Sequence, residues 1–139
     1  MPRLRMAPTR VGEPAPAVLI AEDHEDSRDA LQTLLEALGY RVRVARNGAE
    51  AVQEARAERP DLILMDMMMP GVDGFHATRT LRGDPAFAAV PIVALTAMEG
   101  ARAAVLEAGC DDCVLKPIDI RFFMERLEGW LSARRAPAS

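Results

Sequence analysis

Five short, predominantly apolar runs alternate along the chain with stretches in which apolar residues recur every third or fourth position. The runs are 18–21, 42–45, 62–65, 92–95 and 113–115. Runs without in-out alternation suit parallel strands buried on both faces. The clearest is the third, Asp-Leu-Ile-Leu-Met-Asp at 61–66. Between the first two runs, Leu31, Leu34, Leu35 and Leu38 fall at i, i+3, i+4 and i+7. That spacing predicts an amphipathic helix, opened by Asp26 or Ser27 as N-cap and stopped by Gly39. Ile120, Phe123, Met124, Leu127 and Leu131 repeat the pattern in a last helix. Weaker signals place helices at 49–58 after Asn47-Gly48, at 74–82 after a Pro70-Gly71 turn, and at 98–108 ending at Gly109. Five βα units in this order imply right-handed crossovers, a parallel sheet and helices on both faces, which is a three-layer α/β sandwich.

In open α/β sheets the site lies beyond the carboxyl ends of the strands, so the residues that follow the runs matter most. They are Glu22 and Asp23, then Asp66, Thr96 and Lys116. If the first and third strands are neighbours, their ends lie about 4.8 Å apart, close enough for Asp23 and Asp66 to share a ligand. Carboxylates so close raise each other's pKa unless a cation compensates them, and a hard ion held by a few oxygens, Mg²⁺, fits best. An ionised Asp66 beside Mg²⁺ can attack phosphorus to give an aspartyl phosphate. Lys116 would neutralise equatorial oxygens of the transferring group, and the Thr96 hydroxyl would donate to one of them. Singly, each residue could be a helix start, a turn or a solvated side chain; only the conjunction is specific.

Length and charge narrow the field further. The 139 residues, half of them apolar, suit one domain with a proper core. The net charge is −4, but residues 1–17 and 134–139 are each +2, so the body between them holds a formal −8, which disfavours nucleic acid as a partner. Two cysteines are too few for a secreted disulfide scaffold, no apolar run approaches a membrane span, and arginines and prolines stand where a signal peptide needs an apolar core. A soluble cytoplasmic protein is expected, with residues 1–17 and 134–139 as flexible tails around a domain at 18–133. The C-terminal tail is too short to fold as an output domain.

The body resembles a response-regulator receiver domain of two-component signalling. The resemblance rests on Val-Leu-Ile-Ala-Glu-Asp at 18–23, Asp-Leu-Ile-Leu-Met-Asp-Met-Met-Met-Pro-Gly-Val-Asp-Gly at 61–74, Pro-Ile-Val-Ala-Leu-Thr-Ala at 91–97 and Leu-Lys-Pro at 115–117. It implies a flavodoxin-like, doubly wound sheet of five parallel strands in the order 2-1-3-4-5 with five helices. It further implies Asp66 as phosphoacceptor, Asp23 as a direct Mg²⁺ ligand, Glu22 as a ligand mainly through water, and the Met68 backbone carbonyl as a third ligand. Thr96 and Lys116 would bind the phosphoryl group, and the Lys116-Pro117 bond would be cis. A histidine kinase or phosphotransfer protein would be the donor. Output would pass through the face made by the fourth helix, fifth strand and fifth helix, and the chain would catalyse only its own phosphorylation and dephosphorylation.

Several positions depart from that pattern or invite other readings. Receivers usually carry Tyr or Phe three residues before the lysine, where this chain has Cys113. Cys110-Asp-Asp-Cys113 formally matches a C-x-x-C pair, but its two aspartates would raise thiol pKa values, and the bland reading is of two small, partly buried residues. His24 reads as a solvent-facing residue at the start of the first helix, and His76 carries still less. Met67 to Met69 could be a soft apolar patch or simple packing, and Phe122 a partner contact or a half-covered ring. Met68, two residues after the phosphoacceptor, brings no group to orient a water. It also stands where a haloacid-dehalogenase-like phosphatase needs a second aspartate, which disfavours that enzyme. A flavodoxin-like cofactor carrier is disfavoured by the acidic stretch Glu22 to Asp26, which would repel a phosphate.

Overall fold

The computed structural model describes residues 14–133. Its elements run β1 (Ala17–Ala21), α1 (Glu25–Ala37), β2 (Arg41–Ala45), α2 (Gly48–Ala57), β3 (Leu62–Asp66), α3 (Gly74–Arg82), a 3-10 turn (Pro85–Phe87), β4 (Ile92–Thr96), α4 (Arg102–Ala108), β5 (Asp112–Leu115) and α5 (Ile120–Ala133). The strands form one parallel sheet in the order β2-β1-β3-β4-β5. This is the expected doubly wound topology, in which the chain reverses direction between β1 and β3 and opens a crevice at their carboxyl ends.

Burial explains why the apolar runs are continuous. In β1, β3 and β4 every residue is buried, because each strand carries one core on each face. Leu19, Ala21, Ile63, Met65, Ile92 and Ala94 pack toward α2, α3 and α4. Their sequence neighbours Val18, Ile20, Leu62, Leu64, Val93 and Leu95 pack toward α1 and α5. The edge strand β2 instead carries Arg41 and Arg43, and Arg43 bridges to Glu54 and Glu58 at the end of α2. Such charges blunt an exposed sheet edge.

The boundaries differ from the sequence reading where polar residues join the ladders. Each strand is one residue longer than its apolar run: β1 takes in Ala17, and the other four take in the polar Arg41, Asp66, Thr96 and Asp112, because backbone pairing does not depend on side-chain polarity. Helix α1 begins at Glu25, six residues before its first expected apolar position, Leu31; its N-cap is His24, not Asp26 or Ser27, and no side chain caps it. Helix α2 spans 48–57 where 49–58 was expected, and Asn47 caps it, its side chain accepting from the Glu50 N–H. Helix α4 is shorter than the 98–108 expected. Gly100 has φ +79, a left-handed conformation that interrupts a right-handed helix, so 97–101 is loop. The tails expected at the termini fall largely outside the described residues, while Ala15, Pro16 and Ala17 bond to Arg41 and Asp61.

Close backbone packing fixes the loop after β3. A Cβ added at Gly74 would sit 2.3 Å from the Asp66 carbonyl oxygen and 2.6 Å from the Met67 Cα, so the first turn of α3 can lie directly under the end of β3. Neither neighbour is a flexible side-chain tip. Gly74→Ala should therefore lower stability by about 1–3 kcal/mol, read as a lower urea midpoint at unchanged slope. An unshifted midpoint would show that the loop yields freely.

Candidate functional site

The carboxyl ends of β1, β3, β4 and β5 deliver their polar residues to one place. Glu22 follows β1 and is fully buried, its N–H held by the Ala45 carbonyl at 3.0 Å. Arg28, one turn into α1, donates to the Glu22 carbonyl at 3.1 Å and ties that loop to the helix. Asp66 closes β3 at 4% exposure, with its Oδ1 accepting from the Met68 N–H at 3.0 Å. Thr96 closes β4, and its Oγ1 accepts from the Met98 N–H at 3.1 Å. Lys116 follows β5 and reaches back across the crevice, donating to Glu22 Oε1 and lying 3.4 Å from Asp66 Oδ2. The Lys116-Pro117 bond is cis, as the family resemblance implied.

The electrostatics are those of an under-compensated acidic cluster. Glu22, Asp23 and Asp66 each offer a carboxylate oxygen within 4.8 Å of the others, against the single ammonium of Lys116. Burial pushes the Asp66 pKa above the ordinary carboxylate value, and the hydrogen bond to Glu22 pushes it the same way; the Met68 N–H and Lys116 only partly oppose them. For Lys116, burial alone would lower the pKa, but Glu22 and Asp66 outweigh it and hold the amine protonated. A group that is both buried and pressed by a neighbouring acid accepts a cation readily. The donor set, all hard oxygens with one half-exposed member, Asp23, fits a small divalent metal ion that keeps part of its water shell.

A family model for the response regulator receiver domain matches residues 18–128. The chain belongs to the response-regulator receiver family. Among curated relatives, the polar-differentiation response regulator DivK of Brucella anthropi is 38% identical over 117 residues, 83% of this chain and 95% of the relative. Among solved structures, the receiver domain of a sensor histidine kinase from Pseudomonas aeruginosa, with a magnesium ion coordinated in its active-site cleft, superposes with a TM-score of 0.78 at 36% identity. The match covers 84% of this chain and 98% of that one. The yeast Ssk1 receiver domain, crystallised with the histidine phosphotransfer protein Ypd1, gives 0.79 at 27% identity over 86% of this chain and 90% of the other. No helix among the described residues of this receiver is long and apolar enough to cross a membrane.

The remaining singled-out residues resolve individually. His24 is exposed at the start of α1, where its backbone N–H donates to Glu22 Oε2 at 3.4 Å, and His76 is exposed on α3; neither imidazole is part of the cluster of carboxylates. The three methionines split: Met67 and Met69 are core, whereas Met68 is 58% exposed beside Asp66. Phe122 is a half-covered ring, packed on the α1 and α5 core with the Arg126 guanidinium 4.4 Å above it.

Cys110 and Cys113 are free thiols. Burial, more than the aspartates, raises both, Cys110 to about 11. The sequence reading missed Asp112, which it weighed only as a neighbour of the thiols. Asp112 shares the face of β5 that Val114 buries, and two-residue strand periodicity was the available signal. With Cys110 almost enclosed and Cys113 half-exposed, a thiol reagent at pH 8 should modify Cys113 at least about tenfold faster. Equal rates by mass spectrometry would place both thiols at the surface.

Proposed function

We propose that this receiver takes a phosphoryl group from a histidine kinase or histidine phosphotransfer protein onto Asp66, with Mg²⁺, and passes a signal through protein partners. The observation that carries the reading is the placement of Asp66: almost buried at a strand end, within metal-sharing distance of Glu22 and Asp23, and facing Lys116. An Asp66 carboxylate oxygen attacks phosphorus while the P–N bond to the donor imidazole breaks, and the bonding pair leaves with that nitrogen. Bound Mg²⁺ would offset negative charge on the phosphoryl oxygens. Glu22, Asp23, Asp66 and the Met68 carbonyl would hold it. Lys116 leaves its carboxylate pairing to meet the new anion, and the Thr96 hydroxyl donates to a second phosphoryl oxygen.

The same geometry supports the partner. An apolar groove of about 270 Å³ between α1 and the start of α5, lined by Leu31, Leu34, Pro117, Ile118 and Ile120, runs to Glu22 and Lys116. A donor helix seated there would bring its phosphohistidine to Asp66. Residues 18–133 act as one receiver domain in the cytoplasm, and the chain turns over no substrate beyond its own phosphorylation and dephosphorylation. Output through the α4, β5 and α5 face suits a protein partner rather than nucleic acid, given the acidic body.

Acetyl phosphate with Mg²⁺ should add one base-labile phosphoryl group, and Asp66→Asn should abolish it. Undiminished labelling of that variant by intact mass would rule out Asp66. Asp23→Asn should weaken Mg²⁺ binding by about tenfold or more and Glu22→Gln by less, since a direct ligand costs more than one acting through water; calorimetry showing the reverse order would exchange their roles. Because Met68 brings no polar group to the exposed side of Asp66, the phosphorylated form should be long-lived, and Met68→Asn should shorten its lifetime several-fold. Equal decay after donor removal would show that the position does not orient water.

A further inference from the structure

The edge of the sheet holds a second buried carboxylate that the phosphoacceptor chemistry does not use. Asp112 opens β5, and its side chain is 11% exposed. It accepts from four donors. Two are internal: the Cys113 N–H at 2.8 Å and the Nε1–H of Trp130, the chain's only tryptophan, at 2.9 Å. Two are guanidinium groups at the surface: Arg102 at 2.8 Å and Arg126 at 3.4 Å. Burial alone would raise this carboxyl, but Arg102 and Trp130 outweigh it and keep it ionised.

The donors come from opposite layers. Trp130 and Arg126 belong to α5, on one face of the sheet; Arg102 is the first residue of α4, on the other. They can meet on one carboxylate only because β5 is an edge strand. The internal pair is locked, since β5 is paired with β4 and the Trp130 ring packs edge-on to Phe123 at 5.7 Å. The Arg102 side chain is 60% exposed, and water can replace it at small cost.

Helix α4 follows the strand that carries Thr96 through a loop with few local restraints. It has seven residues, no side-chain N-cap, and Gly100 in the left-handed region just before it. The Thr96 Oγ1 already holds the Met98 N–H. A movement of that hydroxyl toward Asp66 therefore either drags Met98 or gives up the bond that holds the turn, and either one loosens the loop that leads into Arg102.

We propose that Asp112 is a clasp: its carboxylate ties α4 to α5 in the unphosphorylated protein, and Arg102 leaves it when Thr96 turns to the phosphoryl group. This rests on the phosphoacceptor reading and adds the contact that regulates the output face. A contact present in only one of two states opposes any ligand of the other, and deleting it strengthens that ligand by up to the same factor.

The test uses the full chain and beryllium fluoride with Mg²⁺, a mimic of the bound phosphoryl group. Arg102→Gln should bind the mimic about threefold tighter by calorimetry, and without it should exchange amide hydrogens over 97–108 about threefold faster. Loss of a positive charge alone would weaken binding of an anionic complex, so the sign separates the two causes. Arg126→Ala removes a donor that sits on α5 itself and should leave the affinity unchanged. Unchanged or weaker binding by Arg102→Gln, or unchanged exchange over 97–108, overturns the clasp while the phosphoacceptor reading stands. If the unaltered protein fails to bind the mimic at all, the phosphoacceptor reading falls and takes the coupling with it.

Discussion

The Lys116 ammonium, set between Glu22 and Asp66, is the contact around which the rest of the molecule is arranged. Two nearly buried carboxylates at adjacent strand ends would repel each other and shed a charge by taking up a proton. One lysine, supplied from the far edge of the sheet, keeps them together without fully neutralising them. The Lys116 N–H is itself fixed by the Thr96 carbonyl at 2.8 Å, so the amine is aimed by the same strand that carries the hydroxyl. The remaining deficit of positive charge is what suits the crevice to a metal cation.

Holding these groups in register demands a rigid sheet and a crowded loop after β3. The sheet supplies rigidity through its two cores, which leave β1, β3 and β4 no exposed face. Crowding comes from Gly74 under Asp66 and from Gly48, whose N–H holds the Val72 carbonyl at 2.9 Å. By contrast, the loop after β4 is pinned mainly by the Thr96 hydroxyl and bends at Gly100. A tight side and a loose side of one crevice suit a site that binds on the first and signals through the second.

Charged networks close the sheet edges and the loops beneath them. Arg82 spans the far side of the molecule, donating to the carbonyls of Gly109, Phe87 and Val90 and to Asp111. Asp112 does the converse at β5, gathering donors around one carboxylate. Both arrangements satisfy buried polar groups that would otherwise be costly, and both join segments distant in sequence.

From the order of residues alone came the five strands, the helices with strong leucine or aromatic stripes, and the residues that line the crevice. These are local properties: a strand buried on both faces is apolar along most of its length, and the polar residue that ends each run marks the carboxyl edge of the sheet. Tertiary structure decided the rest. Whether a polar residue such as Asp66, Thr96 or Asp112 continues a strand depends on a partner ladder that its own segment does not reveal. The early start of α1 and the shortened α4 depend likewise on loop geometry. Strand periodicity hints that Asp112 is buried but not by what: its partners, Arg102, Arg126 and Trp130, lie on helices in opposite layers, and only the folding of both layers around an edge strand brings them to one carboxylate.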